Sequence, residues 1–185
     1  MKSIKFLFII FITFPSTIKA DLNDKLIDEL KEGGKLIFIR HAYAPGGGDP
    51  DNFNINDCDT QRNLNNQGKE QAKKIGNFIK EKNIPINEVI SSEWCRCKET
   101  AFLAFKHFET KNFLNSFFNL KYEKNRNKQI KNLKKYIQEW QGKGNLILVT
   151  HYVVISEVLN YSPSSGEIVI SDKKFKKITS IKISY

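Results

Sequence analysis

The chain has 185 residues, 30 Lys and Arg against 20 Asp and Glu for a formal net charge of +10, and only three histidines and three cysteines. That length holds one domain with a substantial core and is short for two. The excess charge gathers in residues 121–143 and 173–182, where lysine alternates with asparagine and regularly spaced apolar residues; this is the pattern of solvated faces, and with no aromatic-basic module, zinc spacing or helix-turn-helix signature it argues against a nucleic-acid partner, leaving attraction to an anionic surface or substrate as its other use.

Residues 1–20 read as a signal peptide: Lys2 and Lys5 give a basic start, the apolar run 6–14 is too short to span a bilayer, and Pro15 leads to a small residue, Ala20. Cleavage is expected after Ala20, with retention as an uncleaved anchor the other outcome because Ile18 is unusual three residues before a cut. Loss of Lys2, Lys5 and Lys19 takes the net charge from +10 to +7. Residues 21–185 are then a single exported domain, periplasmic in a Gram-negative bacterium or secreted, with no stable membrane span. An exported chain meets an oxidising compartment, and Cys95 and Cys97 are too close to bridge each other readily. Cys58 therefore pairs with one of them and one thiol is left, three reduced buried cysteines being the alternative. With no second cysteine pair, a metal site has no support.

Residues 21–31 place Leu22, Leu26 and Leu30 on one helical face, and Gly33-Gly34 stop that helix before a strand over 35–39. Residues 42–63, rich in Gly, Pro, Asp and Asn, form a long loop, of a length that is usually functional or disordered. An amphipathic helix follows over 66–82 through Ala72, Ile75, Phe78 and Ile79, then a strand over 88–91. Residues 93–108 read as a helix burying Ala101, Phe102, Ala104 and Phe105, 113–120 as a strand or buried loop, and 125–141 as a helix burying Ile130, Leu133, Ile137 and Trp140. The continuous apolar run 146–149 is a strand covered on both faces. A helix from His151 to about Tyr161 and a hairpin of 167–170 with 177–185 complete the chain. Alternating strands and helices give an α/β three-layer sandwich around a mostly parallel sheet.

Arg40-His41 and His151 each stand just past a strand, where parallel sheets hold their ligands. Together with Ser91-Ser-Glu-Trp-Cys-Arg96-Cys-Lys-Glu-Thr100-Ala101 after the second strand, and Leu64-Asn-Asn-Gln-Gly68-Lys-Glu-Gln-Ala72, they resemble the histidine phosphatase superfamily, the phosphoglycerate mutase-like fold. The resemblance implies a small phosphorylated substrate, no metal or organic cofactor, His41 as nucleophile forming a phosphohistidine, His151 as a hydrogen-bonding partner of the phosphoryl group, and Arg40 and Arg96 as its planar clamps. Arg62, in a loop similar to that of exported bacterial members, either binds substrate or anchors the loop. His107 matches no motif and is expected on the surface or in packing.

The pattern departs from the family at the general acid. Tyr152 follows His151, and Leu114-Asn115-Ser116 stands where a Leu-x-Glu is expected. Glu123, Asp49 or Asp57 could supply the proton from a loop, or a phosphoramidate substrate could need less help. The reading is an exported phosphatase acting on a phosphomonoester, such as an envelope sugar phosphate, or on a phosphoramidate; the alternative is a weak or inactive phosphate-binding envelope protein. The oligomeric state is not legible.

Overall fold

The computed structural model describes residues 17–185, with side chains from residue 25 onward. The basic start and apolar run of the expected signal peptide lie outside the described residues. Strand β1 (Leu36–Arg40) sets the architecture: Leu36 and Phe38 point to one face and Ile37 and Ile39 to the other, all four fully buried. A strand apolar on both sides must be covered on both sides.

The sheet contains β1, β2 (Ile86–Ser91), β3 (Glu109–Thr110), β4 (Asn145–Thr150), β5 (Ile168–Ser171) and β6 (Lys177–Ile181), in the order β3-β2-β4-β1-β5-β6. The pairs β3/β2, β2/β4 and β4/β1 are parallel, while β5 runs antiparallel to both β1 and β6. One face is covered by α1 (Thr17–Glu32), α2 (Asn66–Glu81) and α3 (Cys95–Phe105), which bring Ile27, Leu30, Ile75, Ile79 and Ala101 against Ile37, Ile39, Ile147 and Val149. The other is covered by α5 (Arg126–Glu139) and α6 (Tyr152–Leu159), with Leu133, Ile137, Val154 and Ile155 against Leu36, Phe38, Leu146 and Leu148. The short α4 (Leu120–Glu123) precedes α5 in sequence. This is the expected α/β sandwich with a mixed, mostly parallel sheet. Among the described residues no helix is long and apolar enough to cross a membrane.

Two expectations are corrected. Helix α3 ends at Phe105, because Lys106 takes a left-handed φ of 69°, and Phe102 is 52% exposed rather than buried. The face of α3 turned inward is the one carrying Cys97, Thr100 and Ala101, and Phe102 falls off it, its ring met by the Lys106 ammonium at 5.1 Å. Residues 113–120 form neither a strand nor a fully buried loop: a 3-10 turn at Asn112–Leu114 buries Phe113 and Leu114, Phe117 is buried beyond it, and Phe118 and Leu120 face solvent.

The sheet's parallel register brings the chemistry to one edge. Arg40 lies opposite Thr150 and Ser91 opposite Val149, and the ladder continues one step further as His41 N–H donates to Thr150 O at 2.9 Å and Ser92 N–H to Val149 O at 2.9 Å. His41, Ser92 and His151 thus leave the sheet side by side. Helix α2 closes onto the loop after His41 through Gly68, where a Cβ would stand 1.9 Å from Tyr43 O.

Candidate active site

A cavity of about 890 Å³ opens at this edge, lined by Arg40, His41, Arg62, Arg96, His151 and Tyr152 among others. The four residues singled out at strand ends and Arg62 therefore meet. Gly46 and Gly48, both at left-handed φ, turn the roof loop over them.

His41 is 2% exposed and held from both ring nitrogens. Its Nδ1 lies 2.8 Å from Ala42 O, which can only accept, and its Nε2 receives the Arg96 Nε–H at 3.2 Å, which can only donate. Both contacts demand the same tautomer, with the proton on Nδ1 and a lone pair on Nε2. Burial, and then the charge of Arg96, push the imidazole well below its ordinary 6.5, with Arg40 and Arg62 adding to the effect, so the ring is neutral at neutral pH.

The guanidinium groups come from three elements. Arg40, at the end of β1, donates through Nη1 to Pro163 O at 2.9 Å and lies 5.3 Å from the Tyr152 ring centroid. Arg62, in the roof, donates to Ala44 O. The Nε–H groups of both are buried with no acceptor. Two unanswered buried guanidinium donors on residues that line one cavity describe a site that an anion would complete. Arg96, in the first turn of α3, is 3% exposed and grips Asp49 with both terminal nitrogens, Nη1 to Oδ1 at 2.6 Å and Nη2 to Oδ2 at 3.2 Å.

Asp49 also accepts from Arg62 N–H at 3.0 Å and from Trp94 Nε1–H at 3.2 Å. Burial alone would raise its carboxyl, but the hydrogen bond and charge of Arg96, with the Arg62 and Trp94 donors, outweigh it and hold the group below the usual 3.8. Such a carboxylate carries no proton at neutral pH. Asp57 is exposed and caps the 3-10 turn Cys58–Thr60 through Asp59 N–H, and Glu123 is exposed; neither lines the cavity. Ser116 does line it, so a hydroxyl stands where the family pattern leads one to look for a glutamate. His107 is exposed and does not line the cavity.

His151 precedes α6 and is 2% exposed. Its ring meets that of His41 edge-on, with centroids 5.5 Å apart, and that of Trp94 at 5.3 Å. Burial first, then Arg96 and His41, push it well below 6.5. Its Nδ1 is 3.4 Å from Arg96 Nη2, and its Nε2 is 3.0 Å from Ser92 Oγ. Ser92 and its further partners Asn115 and Glu93 carry no signal in the sequence beyond lying inside the motifs quoted above.

Cys58 and Cys95 form a disulfide that ties the roof loop to the residue before Arg96, one of the two pairings expected. Cys97 is free and buried, its thiol pushed up to about 12 by burial, with Sγ 3.5 Å from His151 Nε2. Among the described residues no group of three or more His, Cys, Asp or Glu is gathered to hold a metal ion.

Residues 36–145 match the family described as the histidine phosphatase superfamily (branch 1). The chain is 35% identical over 54 residues to the broad-specificity phosphatase YOR283W of Saccharomyces cerevisiae, a match spanning 29% of this chain and 24% of that protein. The fold is similar to that of a phosphoglycerate mutase from Thermus thermophilus, with TM-score 0.56 and 14% identity over 81% of this chain and 99% of the other. It is similar also to that of SixA from Agrobacterium tumefaciens, a candidate phosphohistidine phosphatase, with TM-score 0.57 and 15% identity over 81% and 98% of the two chains.

Proposed function

The chain belongs to the histidine phosphatase superfamily, and from that premise we propose that it is an exported phosphatase acting on a phosphomonoester or phosphoramidate through a phosphohistidine at His41. The observation that carries the reading is the double constraint on His41. A nucleophilic histidine must be neutral, with its lone pair on the cavity side, and Ala42 O with Arg96 Nε–H imposes that state before any substrate arrives.

The phosphoryl group enters with its oxygens toward Arg40 and Arg62, whose Nε–H groups have no acceptor, and beside the charge of Arg96, whose own donors are held by Asp49 and His41. His41 Nε2 attacks phosphorus, the leaving group departs, and water then cleaves the phosphorus–nitrogen bond to release inorganic phosphate. Tyr152, with its ring centroid 5.3 Å from the Arg40 guanidinium, steadies that charge by a cation–π contact. The disulfide supports export, since such bridges persist in oxidising compartments. Phosphorylated sugars of the cell envelope are the substrate class that an exported enzyme would meet. The yeast relative's name, a broad-specificity phosphatase, supports the reaction type.

Purified protein assayed on aryl and sugar phosphates without added metal should release phosphate, and a His41→Ala variant should not. Quenching in alkaline denaturant during turnover should trap phosphate on the wild-type protein alone, stable in alkali and released by acid as a phosphorus–nitrogen bond requires. Release by His41→Ala at the wild-type rate would reject the nucleophile. A wild type that binds phosphate but turns over nothing would favour the second reading, a phosphate-binding protein; the pairing of Asp49 with Arg96 and the absence of a carboxylic acid at Ser116 favour that reading.

A further inference from the structure

His151 stands at the head of a hydrogen-bonded chain that runs away from the cavity. Each link has a fixed direction. Asn115 Oδ1 accepts the backbone N–H of Glu93 at 2.9 Å, while its Nδ2 donates to the Glu93 carboxylate at 2.6 Å. One residue thus reads both ends of the Asn115 amide and prevents it from turning over. With Oδ1 fixed as an acceptor, the Ser92 hydroxyl 3.0 Å away must donate to it. Ser92 Oγ, its only proton committed, receives Trp94 N–H at 3.3 Å and faces His151 Nε2 at 3.0 Å. The imidazole is then the donor toward Ser92, with Cys97 Sγ, 3.5 Å from the same nitrogen, as a weak second acceptor. Neutral His151 carries its proton on Nε2 and turns a bare Nδ1 toward Arg96, which lines the cavity with it, the mirror of the state imposed on His41.

This bears on the missing acid. Ser116 holds no proton suited to an alkoxide, and Asp49 is ionised and tied to Arg96. We propose that His151 Nδ1 is the proton carrier for the leaving group, and that Glu93, Asn115 and Ser92 are positioning residues that lock its tautomer; the proposal rests on the phosphatase reading above. A substrate phosphate brings the negative charge that offsets the surrounding arginines, and Nδ1 takes up a proton with it. The resulting imidazolium keeps Nε2–H on Ser92, and the Glu93 carboxylate at the end of the chain stabilises its charge through aligned dipoles.

The steps balance. In the first, the bond from phosphorus to the leaving oxygen breaks as the bond to His41 Nε2 forms, and the leaving oxygen takes the proton from His151 Nδ1. In the second, water attacks phosphorus, its proton returns to Nδ1, and the phosphorus–nitrogen bond breaks to give phosphate and free His41. The chain therefore needs no carboxylic acid for an alcohol leaving group.

With only three histidines, the untagged protein can be read by imidazole 15N NMR, His107→Gln removing one set of signals. Ligand-free wild type should show His151 protonated at Nε2 and bare at Nδ1. Asn115→Ala frees the Ser92 hydroxyl to donate to His151, so an Nδ1-protonated population should appear. Glu93→Gln, which keeps an acceptor oxygen for Asn115 Nδ2, should retain the wild-type tautomer. Wild-type protonation at Nδ1, or an unchanged tautomer in Asn115→Ala, would overturn the lock. In kinetics, Asn115→Ala should lose roughly 100-fold in kcat on an alkyl phosphate and less than about 10-fold on an aryl phosphate, whose leaving group needs little protonation. Equal losses on both would overturn the acid role. A wild type inert on both esters and on a phosphoramidate would sink the phosphatase reading, and the NMR result would still decide the tautomer lock.

Discussion

Replacing Asp49 with asparagine tests whether this carboxylate is the clasp that holds the roof on Arg96. The wild-type group accepts four donors: Arg96 Nη1 and Arg62 N–H on Oδ1, and Arg96 Nη2 and Trp94 Nε1–H on Oδ2. Asparagine can keep the first pair through its carbonyl, but then presents N–H groups to the second, donor against donor. The side chains are only 4% and 18% exposed for Arg96 and Asp49, so water repairs little of this. Two hydrogen bonds to a charged group, at about 1.5–3 kcal/mol each and partly offset by relaxation of the roof, give a loss of about 3 kcal/mol. For a domain of this size that is about 6–12 °C in Tm. The sign with pH is fixed. Asp49 has a depressed carboxyl in the folded state, so its stabilisation is complete above the unfolded value and is lost as pH falls through the folded one. Thermal unfolding of both proteins from neutral to strongly acidic pH should show a gap that closes at the acid end. Inorganic phosphate should bind Asp49→Asn more tightly, since Arg96 loses its resident anion. A Tm loss below about 2 °C at neutral pH, or a gap that widens on acidification, would refute the clasp.

Other outcomes follow from the same geometry. Both pocket histidines are neutral in the folded state and bind protons more readily unfolded, so stability should be full above about pH 6.5 and fall below it, by about 1.4 kcal/mol per pH unit for each; His41→Asn with His151→Asn should flatten that slope in urea titrations. Reduction, or Cys58→Ser, opens a bridge across 37 residues and should cost about 4 kcal/mol in the chain-entropy account, read as a lower urea midpoint, with the phosphate KM rising as the roof loosens. In the folded protein at neutral pH, Cys97 should resist alkylation and react only on unfolding, its thiol being buried and pushed up to about 12.

What the sequence discloses about the site is what local order encodes. Arg40, His41 and His151 adjoin apolar runs whose ends are visible in one dimension, and parallel strands put such ends on one edge whatever the loops between them do. Asp49 is visible as an acid in a glycine-rich loop, but its partner lies 47 residues away and the pairing exists only once the roof is folded. Asn115 is conspicuous only as a residue beside a missing glutamate. Its use emerges where the 3-10 turn at Asn112–Leu114 lays it against Ser92 and Glu93, 23 and 22 residues earlier. The closing hairpin is legible from its two runs, yet nothing in them indicates that β5 inserts antiparallel beside β1. Phe102 misleads because an apolar residue in a helix does not state which face meets the core.

The position of β5 has a consequence for the order in which the molecule becomes competent. Gly166 N–H reaches the carbonyls of both Arg40 and His41, Arg40 N–H reaches Glu167 O, and Arg40 Nη1 is held by Pro163 O. The backbone bearing the proposed nucleophile is therefore anchored by residues made more than a hundred positions later. During synthesis from the N-terminus, β1 waits without its neighbour β5 until Ile168–Ser171 has been made. A chain cut before Pro163 would carry His41, Arg96 and His151 on a sheet whose β1 edge has lost β5 and whose Arg40 has lost its carbonyl partner.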